Sequence, residues 1–473
     1  MVSIEIDSRG RGFVSKGREK TITQTLLKQV ICPHCWNEFP PEEILWVAAH
    51  SDLTGDPLLG NDAQQRFLPS RFNVQGKALD IKGVACSKLA CPQCHLLIPR
   101  QLLEMEPFFI SILGAPGSGK SYFLAAMTWK LRSILSNQFG LSFGDADPEA
   151  NQLLIDYEEE LFLNNNEDKL VALRKTELEG GELYETVNYG SGRTVQYPKP
   201  FVFPIQPEPG HQYGVHSRRL ARALCLYDNA GEHFLPGNET ANRPVQHLAV
   251  SRVLLFLFDP TQHPKFRNAC KGQSQDPQMV DNVWSNRQDL IFQEAANRIR
   301  NYKGLPAHEK DDRPLVVVVT KYDAWCSLAS GKPLKEEWAT SPANPPYFGL
   351  NLKQLRNISR QIRDIVLKYA PEMVSAVEGF SSDVIYVPAS AQGQAPELIE
   401  ESGYLGIRPK DIKSMWIEIP MLYALHRSVP GLISTVKSEE AKKKAASSVN
   451  KDQTGKDQHS SPSQPRIFRD SGT

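Results

Sequence analysis

The stretch "GAPGSGKS", residues 114–121, decides how the rest of the chain is read. Gly114, Gly117, Ser118 and Gly119 let backbone N–H groups converge on a phosphate; Lys120 can reach the β and γ phosphates, and the Ser121 hydroxyl can bind Mg²⁺. By average residue usage a G-x4-GK-[ST] string arises by chance in roughly a few per cent of chains this long, so its flanks must decide. Before it, "FFISIL" (108–113) is a continuous apolar run of strand length, as a strand buried on both faces requires. After it, Phe123, Met127, Leu131, Ile134 and Leu135 recur at helical spacing. Strand, glycine loop and helix together predict a nucleotide-binding P-loop.

The whole chain has 473 residues, room for one large domain plus a smaller one. Its 54 Lys and Arg balance 54 Asp and Glu, so net charge makes no general case for nucleic acid. No apolar stretch approaches the roughly 18 residues needed to span a bilayer, and "MVSIEIDSRGRG" has no apolar signal core. These features predict a cytoplasmic protein, whose eight cysteines are thiols or metal ligands rather than disulfides.

Three regions are expected: a cysteine-rich module over 1–105, an α/β domain over 106–435 and a disordered tail over 436–473, where "KSEEAKKKAASSVNKDQ" lacks the apolar residues to fold. In the middle region, strand candidates at 108–113, 201–205, 222–227, 252–258, 315–319 and 384–389 are separated by helix-length intervals. They predict a six-stranded, mostly parallel sheet with helices on both faces, a three-layer P-loop NTPase architecture. Leu355, Ile358, Ile362, Ile365, Val366 and Tyr369 mark one amphipathic helix, and Pro204 points to a sheet edge or bulge. Stretches 138–200 and 324–350 are too long for simple connections; they cover the site, meet a partner or decorate the surface.

Two further motifs end predicted strands, where ligands bind in open α/β sheets. In "DNAG" (228–231), Asp228 can hold a Mg²⁺-bound water and the Gly231 N–H can sense a γ-phosphate. In "TKYD" (320–323), the Asp323 carboxylate can accept from N1–H and the exocyclic amine of guanine, while the Lys321 stem covers one face of the base. Adenine lacks both donors and would leave a buried carboxylate unpaired, a mismatch worth ~10⁴ or more in discrimination. Guanine is therefore the expected base, with GTP or GDP and Mg²⁺ as ligands.

With "PASA" (388–391) added, the chain resembles the P-loop GTPases of the translation-factor-related (TRAFAC) class over about residues 106–430. The resemblance implies a backbone N–H from Ser390 or Ala391 near the guanine O6. With its paired cysteine knuckles, the chain looks more narrowly like the second of the bacterial double-GTPase families, which implies a protein partner, including a second GTPase; a homodimer is also open to it. The chain departs from the pattern at Thr320, where the family's usual fourth motif begins with Asn and braces the P-loop. It departs again at Glu232, followed by His233, where many GTPases place a water-positioning Gln. A carboxylate there is repelled by the γ-phosphate, so slow intrinsic hydrolysis is expected, with His233 the alternative group to orient water. Thr194 is the expected switch threonine closing on Mg²⁺, with Thr186 its rival. The other readings kept open are a GTP-holding docking module that barely hydrolyses, and a P-loop ATPase.

"CPHC" (32–35) and "CPQC" (91–94) are paired C-x2-C knuckles. Cys32, Cys35, Cys91 and Cys94 can surround one tetrahedral Zn²⁺ as in zinc ribbons, and a closed four-Cys site argues for a structural role over a redox one. The 55 residues between the knuckles must loop out, and Cys86 is a reserve ligand. Arg66, Phe67, Arg71 and Phe72 lie in that loop beside an acidic run, with no dense basic stripe, which favours protein docking or fold stabilisation over nucleic-acid binding.

Overall fold

The structure is a computed structural model that describes residues 4–6, 12–14, 26–173, 183–212, 217–229, 234, 246–280, 286–306, 308–329, 331–344, 346–401 and 403–436. The predicted tail, apart from Val436, lies outside these residues.

At the centre is a mixed seven-stranded sheet: β1 (Glu106–Gly114), β2 (Leu141–Phe143), β3 (Phe201–Pro207), β4 (Arg222–Asp228), β5 (Val253–Phe258), β6 (Asp311–Val319) and β7 (Ser381–Pro388). Their spatial order is β2-β3-β4-β1-β5-β6-β7. β4, β1, β5, β6 and β7 run parallel, while β2 and β3 are antiparallel to their neighbours. β5 is buried at every residue, which is why it reads as an unbroken apolar run rather than an alternating one.

All six expected strands are present, and the expected count of six is corrected to seven. β2 is only three residues long and directly follows the left-handed Gly140 that ends helix α1 (Lys120–Phe139), too short to carry a periodic signal. It pairs with residues 205–207 of β3. Pro204 therefore sits just past the reach of the edge strand, where its missing N–H costs no ladder bond.

The long intervals also resolve. Part of the first forms helix α2 (Gln152–Phe162) and an antiparallel hairpin, Tyr184–Asn188 with Thr194–Pro198. The second carries a hairpin, Thr340–Asn344 with Tyr347–Leu350. The Tyr347 side chain closes so tightly on Gly140 and Gly210 that a Cβ at Gly140 would lie 2.8 Å from its ring and one at Gly210 would clash with its hydroxyl. That hairpin thus caps the C-terminal end of α1, about 30 Å along the helix from the glycine loop. Helix α3 (Leu352–Tyr369) packs on β7, burying Leu355, Ile358, Ile362 and Val366; the Asn351 side chain caps it by accepting from the Gln354 N–H.

The cysteine module lies directly on the sheet. Phe109, Val202, Ala223, Cys225 and Tyr227, all on the same face of β1, β3 and β4, share one buried cluster with Val30, Cys32, Phe39, Leu96 and Leu102 of the module. Over this half of the sheet the module takes the place of a helical layer. Phe109→Ala is therefore expected to cost about 3–5 kcal/mol of unfolding free energy, measured by urea denaturation; a loss below about 1 kcal/mol would show that this face is not a packed interface.

Candidate functional site

Parallel register sets the site. Ile112 of β1 pairs with Asp228, Gly114 with Leu257, and Val319 with Pro388, so the four motif-bearing strand ends reach one edge of the sheet. The glycine loop leaves β1 here. A Cβ on Gly114 would meet Ser118 Oγ at 2.8 Å and the Leu257 carbonyl at 3.0 Å, so only glycine lets the loop turn against β5. Gly119 adopts φ 86° as the N-cap of α1, which aims the first helical N–H groups at the loop's centre. Lys120 folds back, donating to the Gly114 and Ala115 carbonyls at 3.0 Å each. Ser118 Oγ is fully buried and has no partner among the described residues, a hydroxyl available to an incoming acceptor.

A cleft of about 100 Å³ opens beside the loop. Its lining unites Gly117, Ser118 and Gly119 with Thr320, Lys321, Asp323, Ser390 and Ala391. Lys321 sits at φ 54°. Its Nζ bonds Asp259 Oδ2 and Gln278 Oε1 at 2.6 Å each and reaches the Gly117 carbonyl at 3.4 Å, laying the stem across the loop. Burial pushes the Asp323 carboxyl above its ordinary value, while a hydrogen bond from Ser390 and the Lys321 charge pull the other way. The Trp325 indole donates to the Thr320 carbonyl at 2.8 Å and fixes this turn.

Two sequence expectations shift in detail. The Thr320 hydroxyl lies 3.2 Å from the Phe258 carbonyl and 3.5 Å from that of Ser118; with one proton to give, it makes only a long brace to the glycine loop. The Ser390 N–H already donates to the Met415 carbonyl at 2.9 Å, which leaves Ala391 as the backbone donor of that pair.

Thr194 is placed elsewhere. It opens the second strand of the hairpin opposite Asn188 and is exposed, and Thr186 pairs with Gln196 in the same hairpin. The turn at Gly190, Ser191 and Gly192, all with positive φ, joins the two strands. The hairpin buries Val187 against the cysteine module, and the Asn188 N–H donates to the Leu58 carbonyl. The sequence signal for this was the G-S-G turn flanked by alternating residues. Gly231, Glu232 and His233 lie outside the described residues. Asp228 ends β4, buried beside β1, and Ser121 opens the first turn of α1.

Sequence reasoning missed the residues that complete the cleft. Asp259, one residue past β5, takes the Lys321 ion pair, and its Oδ1 accepts from the N–H and hydroxyl of Thr261. Gln262 donates to the Pro116 carbonyl of the glycine loop and is itself held by Asn286. Asp276 lines the cleft almost fully buried. "FDP" (258–260), an acid directly after an apolar strand, was the available signal.

The four knuckle sulfurs converge. All lie within 4.8 Å of one another, with Cys32–Cys94 and Cys35–Cys91 at 3.7 Å. A Zn–S bond of about 2.3 Å places tetrahedral sulfurs about 3.8 Å apart, so the donor set fits the ion. The two knuckles share one shape: the His34 and Gln93 N–H groups point at Cys32 and Cys91 Sγ, and Trp36 and His95 follow at φ 56° and 61°. Cys86 is not part of this group; its thiol turns to the Val84 carbonyl inside the looped-out segment, which corrects its reading as a reserve ligand.

No family model matches the chain. A protein of Mycolicibacterium smegmatis, named provisionally as an ESX-1 scaffolding and assembly protein, SaeC, is 24% identical over 256 residues, covering 50% of this chain and 59% of the relative. The chain thus spans little more than half of that relative's length. A solved structure of sup35 complexed with GDP is 12% identical, covering 62% of this chain and 40% of its own, at a TM-score of 0.22. No helix among the described residues is long and apolar enough to cross a membrane.

Purified protein is expected to hold about one Zn²⁺ per chain, lost when Cys32 and Cys91 are both replaced by Ser; metal-free wild-type protein by elemental analysis would contradict the four-sulfur site. A second expectation concerns Asp276, which burial pushes up to about 6. The folded state then keeps a proton that the unfolded chain releases from its ordinary value of 3.8 upward, so this group's contribution to stability falls as pH rises through that window. Asp276→Asn should raise the denaturation midpoint at pH 7.5, with the gain shrinking towards zero below about pH 4; a gain independent of pH would refute the assignment.

Proposed function

We propose that the chain is a GTP-binding and GTP-hydrolysing switch with a structural zinc module, of the TRAFAC class of P-loop NTPases. One observation carries the reading: Asp323 lines the same cleft as residues 117–119 of the glycine loop. A single ligand with a phosphate at one end and a guanine edge at the other fits that pairing.

In this reading the loop N–H groups, the α1 N-terminus and Lys120 bind phosphate; to do so Lys120 leaves the carbonyls it now caps. Ser121 and Asp228 are the residues that would hold Mg²⁺, an ion that neutralises phosphate charge as the γ-phosphoryl departs. Lys321, held by Asp259 and Gln278, keeps its stem against the base, and Ala391 supplies an N–H to the guanine O6. Gly231 would sense the γ-phosphate, and Glu232 and His233 are the candidates for orienting the attacking water. Glu232 makes intrinsic turnover slow, and the same residue favours the second reading, a GTP-bound docking module with negligible hydrolysis. Regulation and output pass through a protein partner, a second GTPase or another copy of this chain; the scaffolding role in the name of the mycobacterial relative supports a protein-binding output. The cytoplasm is its proposed location.

Asp323→Asn tests the base assignment. Nucleotide preference should move from guanine towards xanthine, whose C2 oxygen suits an amide donor, by about 10²-fold or more in competition binding. Unchanged preference, or wild-type preference for ATP, would remove the guanine reading. Phosphate release in single turnover, with and without partner, separates the switch from the docking module.

A further inference from the structure

The first cysteine knuckle is joined to the Asp228 end of β4 by a short, largely buried chain of contacts. Tyr227 Oη donates to the carbonyl of Pro33, which lies between Cys32 and Cys35, at 2.6 Å. The same oxygen accepts from Trp36 Nε1 at 3.1 Å. Trp36 is the residue at φ 56° that closes the knuckle, its N–H donating to the Cys32 carbonyl. Its indole stacks on His247, with ring centroids 6.3 Å apart and planes 26° apart, and Tyr227 packs on the same imidazole. His247 Nε2 in turn bonds Asn229 Oδ1. Because Asn229 Nδ2 donates to the Ile112 carbonyl of β1 at 2.9 Å, its oxygen is the acceptor and His247 Nε2 carries the proton.

Two of the links, Tyr227 and Asn229, adjoin the proposed nucleotide site. Tyr227 and Asn229 flank Asp228 in sequence, and strand alternation turns Tyr227 to the module while Asp228 faces the opposite side. Ile112 lies two residues before the glycine loop. Tyr227, Asn229 and His247 are at most 3% exposed, so none can shift without moving the others. The knuckle also reaches the other approach to the sheet, where the His34 ring bonds the Pro198 carbonyl at the end of the hairpin leading into β3.

We propose that Trp36, Tyr227, His247 and Asn229 are positioning residues that couple the four-cysteine metal centre to the Mg²⁺ end of the nucleotide site. The proposal rests on the nucleotide reading above. Nucleotide with Mg²⁺ would hold the Asp228 end of β4 in one arrangement, which keeps Tyr227 on the Pro33 carbonyl and the knuckle in the shape that binds metal. Linkage makes the coupling reciprocal: whatever factor nucleotide adds to zinc affinity, zinc adds to nucleotide affinity.

The test measures zinc affinity of the zinc-loaded full chain by equilibrium competition against a colorimetric chelator, with and without GDP and Mg²⁺, alongside fluorescent-GDP binding. Wild-type protein is expected to hold zinc roughly two- to tenfold more tightly with GDP and Mg²⁺ present, the range of one or two hydrogen bonds. Tyr227→Phe keeps the ring and loses both hydroxyl contacts; it should bind about one zinc and still bind GDP, with the nucleotide effect on zinc abolished. Trp36→Phe, which keeps a ring on His247 and removes the indole donor, is the second variant and should diminish the effect in the same direction. Zinc affinity indifferent to bound GDP in the wild type overturns the coupling alone, as does coupling that survives in both variants. A wild-type chain that binds no GDP overturns the nucleotide reading and the coupling with it, and one that binds no zinc overturns the coupling and the metal centre while the cleft stands.

Discussion

The backbone register between β1 and its two neighbours is the constraint on which the rest depends. Ile112 lies opposite Asp228 and Gly114 opposite Leu257, so β4, β1 and β5 end level. β6 and β7 continue the alignment, with Val319 opposite Pro388. A slip of one residue would turn every apolar side chain of a doubly buried strand into the wrong layer, so packing on both faces holds this register firmly. Residues 117–119, 320, 321, 323 and 389–392, from three of these strand ends, are thereby brought to a single cleft.

The cleft is polarised by what those loops carry. Three acids, Asp259, Asp276 and Asp323, lie around the Lys321 ammonium at one end, while the glycine loop, with Lys120 against its carbonyls, forms the other. A ligand that is anionic at one end and donates hydrogen bonds at the other complements both halves. In the proposed reading desolvation would supply selectivity: an edge that could not donate to Asp323 would leave a part-buried carboxylate without its partner.

The cysteine module is more than an appendage in physical terms. It covers the sheet face that β1, β3 and β4 present, contributing buried apolar surface that a helix would otherwise supply. Its knuckles bring four sulfurs within 4.8 Å of one another, an arrangement that fits a single tetrahedral cation. Tyr227 is where cover and site meet, one residue from Asp228. Thr194 illustrates the converse: proximity in sequence to a site-forming strand put it on a hairpin that serves the module.

Much of this was legible in the amino-acid order. Apolar runs of strand length announced all six of the longer strands, because strands buried on both faces need no alternation, and the C-x2-C pairs announced four ligands because sulfur geometry at a metal demands that spacing. Short-range patterns of this kind are set by local chemistry and by the periods of helix and strand. The three-residue edge strand β2, the partners of Lys321 at Asp259 and Gln278, and the His247–Asn229 link were decided only by tertiary structure. Each joins residues whose separation along the chain carries no period and whose identity is unremarkable alone; they acquire meaning when packing removes water around them and leaves each polar group only the partner that the fold has placed within reach.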